Sequence, residues 1–444
     1  MTEGNIYKHV FRFVIPLMIS GVLQNLYYAI DTIVVGRFVG PEALAAVGSS
    51  GPTIGIMINL FMGLGAATGV IIGQRIGSGN KEKITKAVHT SVALAVITGV
   101  CLCILGVLFS HNILGVLKVP ADVIDLSSLY MKIYFLGFPG TLLYVCSGSI
   151  LQAAGDSFRP TLYVFIASVT NCVLNLLFVA VFGMGVAGVA AATAISQYVP
   201  NIFLFRTLTR TKESFRLEVK KIKIHKEEAK EMIRLAIPSG IQTTMISMSN
   251  VIVQTSVNQC GSVAMAGSVV ANNLEGIIYI ALYSFFNAAV TFTSQNYGAN
   301  KLKRIKSGFW RIVLCSLTLG IILSQVIVHF SPVLMRLYTD KADVLAAATQ
   351  RISIVSATYV LCGLTEVGNG ALRGLGKAKL AAFATLVGEC GVRVVMTYIA
   401  SPINDMSDLN IIFWSFPVSW VVGISMMYGM FFYQLRKMKK KQMA

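Results

Sequence analysis

Four acids stand inside apolar stretches of this chain: Asp31, Glu275, Glu366 and Glu389. A carboxylate in such surroundings is costly unless it binds a cation, takes up a proton or faces an opposite charge. Asp31 lies in QNLYYAIDTIVVG (Gln24–Gly36), in the second half of an apolar segment from Phe11 to Val35 that is long enough to cross a bilayer as a helix. It reads either as a functional group inside a bundle or as a polar residue near a helix end reaching interfacial water. Two nearby segments offer partners. Asn171 and Asn175 are four residues apart and share a helix face, and Thr193 follows in the next apolar segment. At 1.5 Å per residue, Asp31 lies roughly 8 Å from the outer end of its segment, Asn175 about 10 Å, Thr193 about 12 Å and Asn171 about 16 Å. A carboxylate, two amide carbonyls and a hydroxyl at similar depth are hard oxygen ligands suited to Na+ or to a shared proton. The same groups equally suit an interhelical hydrogen-bond network that only holds a bundle together.

The acids of the second half differ. Glu389 and Arg393 are four apart and are expected to neutralise each other in an intrahelical ion pair. Glu275 and Glu366 have no partner of that kind. They are expected to draw a cationic substrate into a cavity, with Tyr27, Met245 and Tyr279 among its soft, adaptable walls. Other chemistries fail on context. GMGVAG (Gly183–Gly188) has dinucleotide-loop spacing but follows an apolar helical segment rather than a strand. ALRGLGKA (Ala371–Ala378) lacks the first glycine and the final Ser/Thr of a phosphate loop. The five histidines contain no metal-ligand pair at helical spacing, and the eight cysteines contain no CxxC. The reading is therefore no enzyme, no catalytic residue and no cofactor beyond a coupling ion, H+ or Na+, with Na+ at Asp31 the one metal considered.

The elements that must position these groups are membrane spans. Of 444 residues, 55% are hydrophobic and 13% charged, the balance of an all-α polytopic membrane protein. A net charge of +18 would suggest nucleic acid in a soluble chain. Here Lys and Arg lie between apolar segments, so membrane orientation explains them and no nucleic-acid partner is expected. Twelve spans are expected, at roughly 11–35, 48–74, 87–110, 127–152, 160–182, 185–206, 232–257, 267–296, 307–330, 348–372, 379–401 and 409–434. The N-terminal segment reads as a retained first helix. The longest polar stretch, Arg206–Arg234, contains LEVKKIKIHKEEAK and reads as a solvated connector on the membrane surface. Domains are thus expected at 1–206, 207–231 (the basic connector) and 232–444. With both termini in the cytoplasm, inner loops hold 30 of the 37 Lys and Arg, and outer loops only Arg37, Lys118, Arg336 and Lys341. Lys132, Arg351 and Arg393 fall within spans. That bias sets the orientation.

The chain also repeats. A shift of 221 residues lays Gly40 on Gly261, Gln74 on Gln295, Gly77 on Gly298 and Gly155 on Gly376. With one residue of slip, Pro16 falls on Pro238. Two six-helix lobes follow. Because six is even, both enter the membrane from the same side, so a pseudo-two-fold axis along the membrane normal and a central cavity are expected.

Several stretches together resemble one family. LYYAIDTIVVG, GQRIGSGNKEK (Gly73–Lys83), LQAAGDSFRP (Leu151–Pro160) and Asn171–Gln197 look like the multidrug and toxic compound extrusion (MATE) transporters, as do SQNYGANKLKR (Ser294–Arg304) and ALRGLGKAK (Ala371–Lys379). The resemblance covers essentially the whole chain. It implies two lobes, export of bulky amphipathic cations and coupling to inward Na+ or H+ flow. By resemblance, the first-lobe cation site maps onto Asp31, Asn171, Asn175 and Thr193. Many members carry Asp where this chain has Asn175, which leaves Asp31 as the only acid of that site.

The expectation is a monomeric plasma-membrane antiporter working by alternating access, with small amphipathic cations and the bilayer as partners. The nearest alternative is a lipid-linked glycan flippase of the same superfamily, whose cavity would be basic. A passive channel or a receptor fits less well.

Overall fold

The computed structural model describes residues 1–116, 119–120, 123–403 and 409–443; the side chains of residues 26–35, 37, 41–45, 49, 52–53, 399–403, 441 and 443 lie outside that description. Asp31 and Tyr27 are among these, so only their place on a helix is given.

The described residues form helices and no strands. In chain order they are α1 (Ile6–Phe38), α2 (Pro41–Ser78), α3 (Lys81–Val116), then α4, which joins Ile124–Leu136 to Phe138–Ala154 through a 43° bend. Next come α5 (Phe158–Val181), α6 (Gly185–Arg210), α7 (Lys226–Gln259), α8 (Ser262–Gly298) and α9 (Leu302–Arg336). The chain closes with α10 (Ala342–Ser356 and Val360–Gly374, bent by 44°), α11 (Ala378–Tyr398) and α12 (Leu409–Met443). Helices predominate because a bilayer supplies no hydrogen-bond partners, and a helix satisfies its own backbone. Among the described residues nine are long and apolar enough to cross a membrane, or eleven when each bent pair counts as one span. The twelfth, α7, is 34 residues long but carries Gln242, Asn250 and Gln254 within it. Each of the twelve expected spans falls on one of these elements.

The repeat is written in the backbone. Gly40 (φ +113°) and Gly261 (φ +99°) precede α2 and α8, and Gly155 (φ +96°) and Gly376 (φ +74°) follow α4 and α10. Side chains rarely tolerate these angles, so the paired glycines mark equivalent turns.

Two compact units emerge. One is Pro16–Gly240; the other joins Met1–Ile15 to Ile241–Ala444. Their limits fall inside α1 beside Pro16 and inside α7 beside Pro238, two prolines held within helices. Each removes one helical hydrogen bond at the position where the chain passes between units.

In the Pro16–Gly240 unit, helices approach backbone to backbone. A Cβ on Gly240 would lie 2.1 Å from the Leu60 carbonyl oxygen, and one on Gly65 would lie 2.2 Å from Val145 Cγ1. Gly65 thus marks a packing face of α2. The connector is clamped rather than merely solvated. Leu217 is buried in the core of this unit, and the Glu218 amide donates to His89 Nε2 at 3.0 Å. The His225 amide donates to Thr90 Oγ1 at 3.1 Å, and Arg75 reaches Glu228 and Glu231 at 3.3 and 2.6 Å. Partial desolvation, then the charges of Lys223 and Lys86, hold the His225 ring below its ordinary pKa.

Candidate coupling site and buried charge network

In the Pro16–Gly240 unit, α5 and α6 bring three of the expected residues together. Asn171, Asn175 and Thr193 are at most 4% exposed. The Asn175 amide donates to Asn171 Oδ1 at 2.8 Å, and the Asn171 amide reaches Thr193 Oγ1 and Ser196 Oγ, each at 3.4 Å. Thr193 in turn donates to the Val189 carbonyl at 3.0 Å. Ser196 is a member that the sequence reading missed. Its signal was present, since it sits three residues beyond Thr193 on the same helix face. Directly after Asn175 the helix widens into a π-helical turn, Leu176–Val181. Such turns interrupt regular packing and recur at functional positions. The cluster is uncharged. By sequence, Asp31 is the sole acid within the six spans of this half, and its side chain lies outside the described residues.

The unit formed by Met1–Ile15 and Ile241–Ala444 is built differently. Glu275, expected to be unpaired, is held by Arg351, whose Nε and Nη2 donate to the two carboxylate oxygens at 3.1 and 2.7 Å. Ser268 and Asn272 also bind the guanidinium, Ser356 binds Glu275, and the Phe413 and Phe416 rings stack near it. This is a correction to the cavity reading of Glu275. The residues are 76 apart on different helices, beyond any same-helix spacing rule. Both are at most 5% exposed, so the pair is a neutral element of the core.

Glu389 lies 3.8 Å from Arg393 on α11, within a π-helical turn, Thr385–Gly391. Arg393 has further partners: it donates to Ser419 at 3.0 Å and Asn250 at 3.1 Å, and its guanidinium sits 4.7 Å from the Phe416 ring centre. Glycines make the room, since a Cβ on Gly423 of α12 would meet Glu389 Cγ at 3.3 Å.

Glu366 is half-buried on α10, facing the Tyr279 hydroxyl of α8. Tyr279 is 38% exposed and stacks in a row with Tyr283 (5.7 Å) and Phe286 (5.1 Å), which ends under the Arg373 guanidinium at 5.2 Å. Arg373, placed by sequence in an inner loop, is buried on the same face of α10 as Glu366 and Asn369. It donates to Asn369 at 3.2 Å and to Gln242 at 2.7 Å. Gln242 passes the network to Thr385. Met245 is half-buried one turn beyond Gln242. Two of the three acids are thus met by arginines, Glu275 by Arg351 and Glu389 by Arg393, whereas Arg373 bonds to neutral amides. Gln242 and Asn250, two turns apart on α7, were the legible sign of a polar helix face there.

Fold and site together define a polytopic α-helical membrane protein with a polar interior built on an internal repeat. A family model described as MatE matches residues 16–177 and again 238–399. The chain belongs to the MatE family. It is 28% identical to the probable multidrug resistance protein YoeA of Bacillus subtilis, over 100% of this chain and 96% of that one. It is 27% identical to the probable multidrug resistance protein YpnP of the same organism, over 84% of each. An outward-facing structure of a multidrug resistance MATE family transporter superposes with a TM-score of 0.91 at 22% identity, covering 98% of this chain and 97% of that one.

Proposed function

We propose that this protein is a multidrug efflux antiporter of the cell membrane, exporting hydrophobic organic cations in exchange for H+ or Na+. Three things support the reading: family membership, the names of its relatives, and above all the uncharged, buried Asn171–Asn175–Thr193 cluster in the half where Asp31 is the only intramembrane acid. A lone carboxylate beside preorganised amides and hydroxyls changes the charge of that unit whenever it binds or releases an ion. No described Lys or Arg side chain is buried in that unit's spans to offset it. Ion binding at Asp31 from outside then favours a rearrangement of the α1–α6 bundle that releases substrate. One charge moving down 100 mV releases about 2.3 kcal/mol. Export of a monovalent cation against the same field needs more than one coupling charge, or a concentration gradient.

On the substrate side, Glu366 with the Tyr279–Tyr283–Phe286 row supplies a negative group beside aromatic faces, a combination that attracts organic cations. Glu366→Gln is expected to weaken binding of a cationic dye on the order of 10-fold while leaving a neutral analogue of similar shape unchanged, because Coulomb attraction is less screened there. Equal loss for both ligands in a fluorescence titration would assign Glu366 to structure. A single cysteine at Ser214 or Lys303 is expected to react with an impermeant maleimide only from the cytoplasmic side of oriented vesicles, as the Lys and Arg distribution requires. Labelling from outside would reverse the orientation and, with it, the direction of transport.

A further inference from the structure

In the Pro16–Gly240 unit several basic residues are met by acids: Arg75 by Glu228 and Glu231, Lys86 by Glu82 at 2.6 Å, Arg159 by Asp156 at 3.3 Å and Lys221 by Glu218 at 2.8 Å. In the other unit, the end that carries the start of α9 and the tail of α12 has no such compensation. The sequence holds no acid between Asn300 and Thr339, and none after Asp408. The nearest acid, Glu3, is taken by Lys301 at 3.4 Å, while Arg304 is spent on the carbonyls of Met1, Glu3 and Gly4.

The contacts show that these pieces form one surface. Trp310 of α9 stacks on Phe432 of α12 at 5.7 Å, and the Gln442 amide of α12 donates to Asn300 just before α9. Arg311 of α9 lies over the Tyr7 ring of α1 at 5.5 Å. On the exposed face of α9, Lys303 and Lys306 are followed by Trp310 and Leu314, which are 49% and 51% exposed. The exposed face of α12 runs the opposite way, from Tyr433 at 64% exposure to Arg436, Lys437 and Lys440. Both faces thus pass from apolar, through an aromatic ring at interfacial depth, to uncompensated cations one turn further out. Trp and Tyr at that depth anchor to headgroups, and Lys and Arg beyond them meet phosphates.

We propose that this end of the Met1–Ile15 and Ile241–Ala444 unit is a docking surface for anionic phospholipid headgroups, with Lys303, Lys306, Arg436 and Lys437 as the contacting cations and Trp310 and Tyr433 as the interfacial anchors. The occupant is a lipid because the cations continue lipid-facing helix faces rather than line an interior. The choice of an anionic headgroup follows from the missing acids. A zwitterionic headgroup would leave the excess positive charge of this end unanswered.

The tryptophans allow a local reading. Trp310 and Trp414 are both 49% exposed, and Trp420, 2% exposed, is shielded from lipid. Trp414 and Lys437 are 23 residues apart on α12, roughly 34 Å, so Trp414 reports the opposite membrane face. The protein carrying W414F is reconstituted in phosphatidylcholine bilayers containing an equal mole fraction of either brominated phosphatidylglycerol or brominated phosphatidylcholine. Trp310 fluorescence is expected to be quenched more strongly by the anionic lipid, with a local enrichment on the order of 10-fold. That excess is expected to collapse at about 1 M salt, where the screening length is about 3 Å. The K303Q/K306Q/R436Q/K437Q variant is expected to lose the preference at low salt, and the W310F protein, read through Trp414, to show none. Equal quenching of Trp310 by both lipids at low salt would overturn the proposal, as would a preference that survives in the quadruple variant. The salt titration uses the native cations and stands even if that variant is poorly folded.

Discussion

Asp31→Asn is expected to abolish ion-driven export while leaving the protein folded and able to bind substrate. The substitution preserves shape and hydrogen-bonding size, and it removes the only acid of the six N-terminal spans. A desolvated carboxylate takes up a proton outside and releases it inside, or its charge offsets the dehydration of Na+. An amide does neither. The amides and hydroxyls of Asn171, Asn175, Thr193 and Ser196 do not replace it, because all four residues are neutral. The expected loss in gradient-driven transport is on the order of 100-fold or more, the scale on which removal of an essential proton-transfer group acts. Equilibrium binding of a fluorescent cation is expected to persist. Near-normal export by D31N vesicles would return Asp31 to the status of an interfacial polar residue.

Removing Arg351 is expected to be the most destabilising change at a buried ion pair. Arg351→Ala strands Glu275, 2% exposed, with two carboxylate oxygens that had accepted from the guanidinium. Breaking a buried pair from one side costs about 3–5 kcal/mol. The Phe413 and Phe416 rings also lose the cation stacked beside them. The double change Glu275→Gln with Arg351→Gln leaves no charge unpaired and is expected to recover more than half of that loss in thermal unfolding in detergent. Equal destabilisation by the single and double variants would mean that packing, rather than charge pairing, sets the stability there. The same comparison separates Glu275 from the substrate, since the double variant is expected to keep its affinity for cationic ligands.

Much of the fold was legible because the bilayer makes the rules few. Apolar length marked the spans, the 221-residue shift marked the repeat, and Gly40, Gly155, Gly261 and Gly376 turned out to be the left-handed turns that the repeat requires. Pro16 and Pro238 were also visible, but their consequence was not. Sequence periodicity places a proline in a helix without saying that the chain changes compact unit beside it. Asn171, Asn175 and Thr193 were found by depth and spacing, and the structure links them by hydrogen bonds centred on Asn171, which also reaches Ser196. The second half was misread where partners come from different helices. Glu275 with Arg351, Arg373 with Gln242, and Arg393 with Asn250 join residues more than 70 apart, and spacing on a single helix carries no information about them. Three acids and three arginines within one half of a polytopic chain force such pairings, yet the charges alone do not say which acid meets which arginine.

Ion flow and substrate export are proposed to be one coupled exchange. It is tested most directly by loading proteoliposomes of the wild-type protein with a fluorescent organic cation and imposing pH and Na+ gradients separately, with the membrane potential clamped. One of the two gradients is expected to drive dye movement opposite to the ion, dye gradients in turn to drive ion movement, and both fluxes to vanish together in D31N. Ion flux that continues without dye exchange, or dye movement indifferent to both gradients, would contradict it.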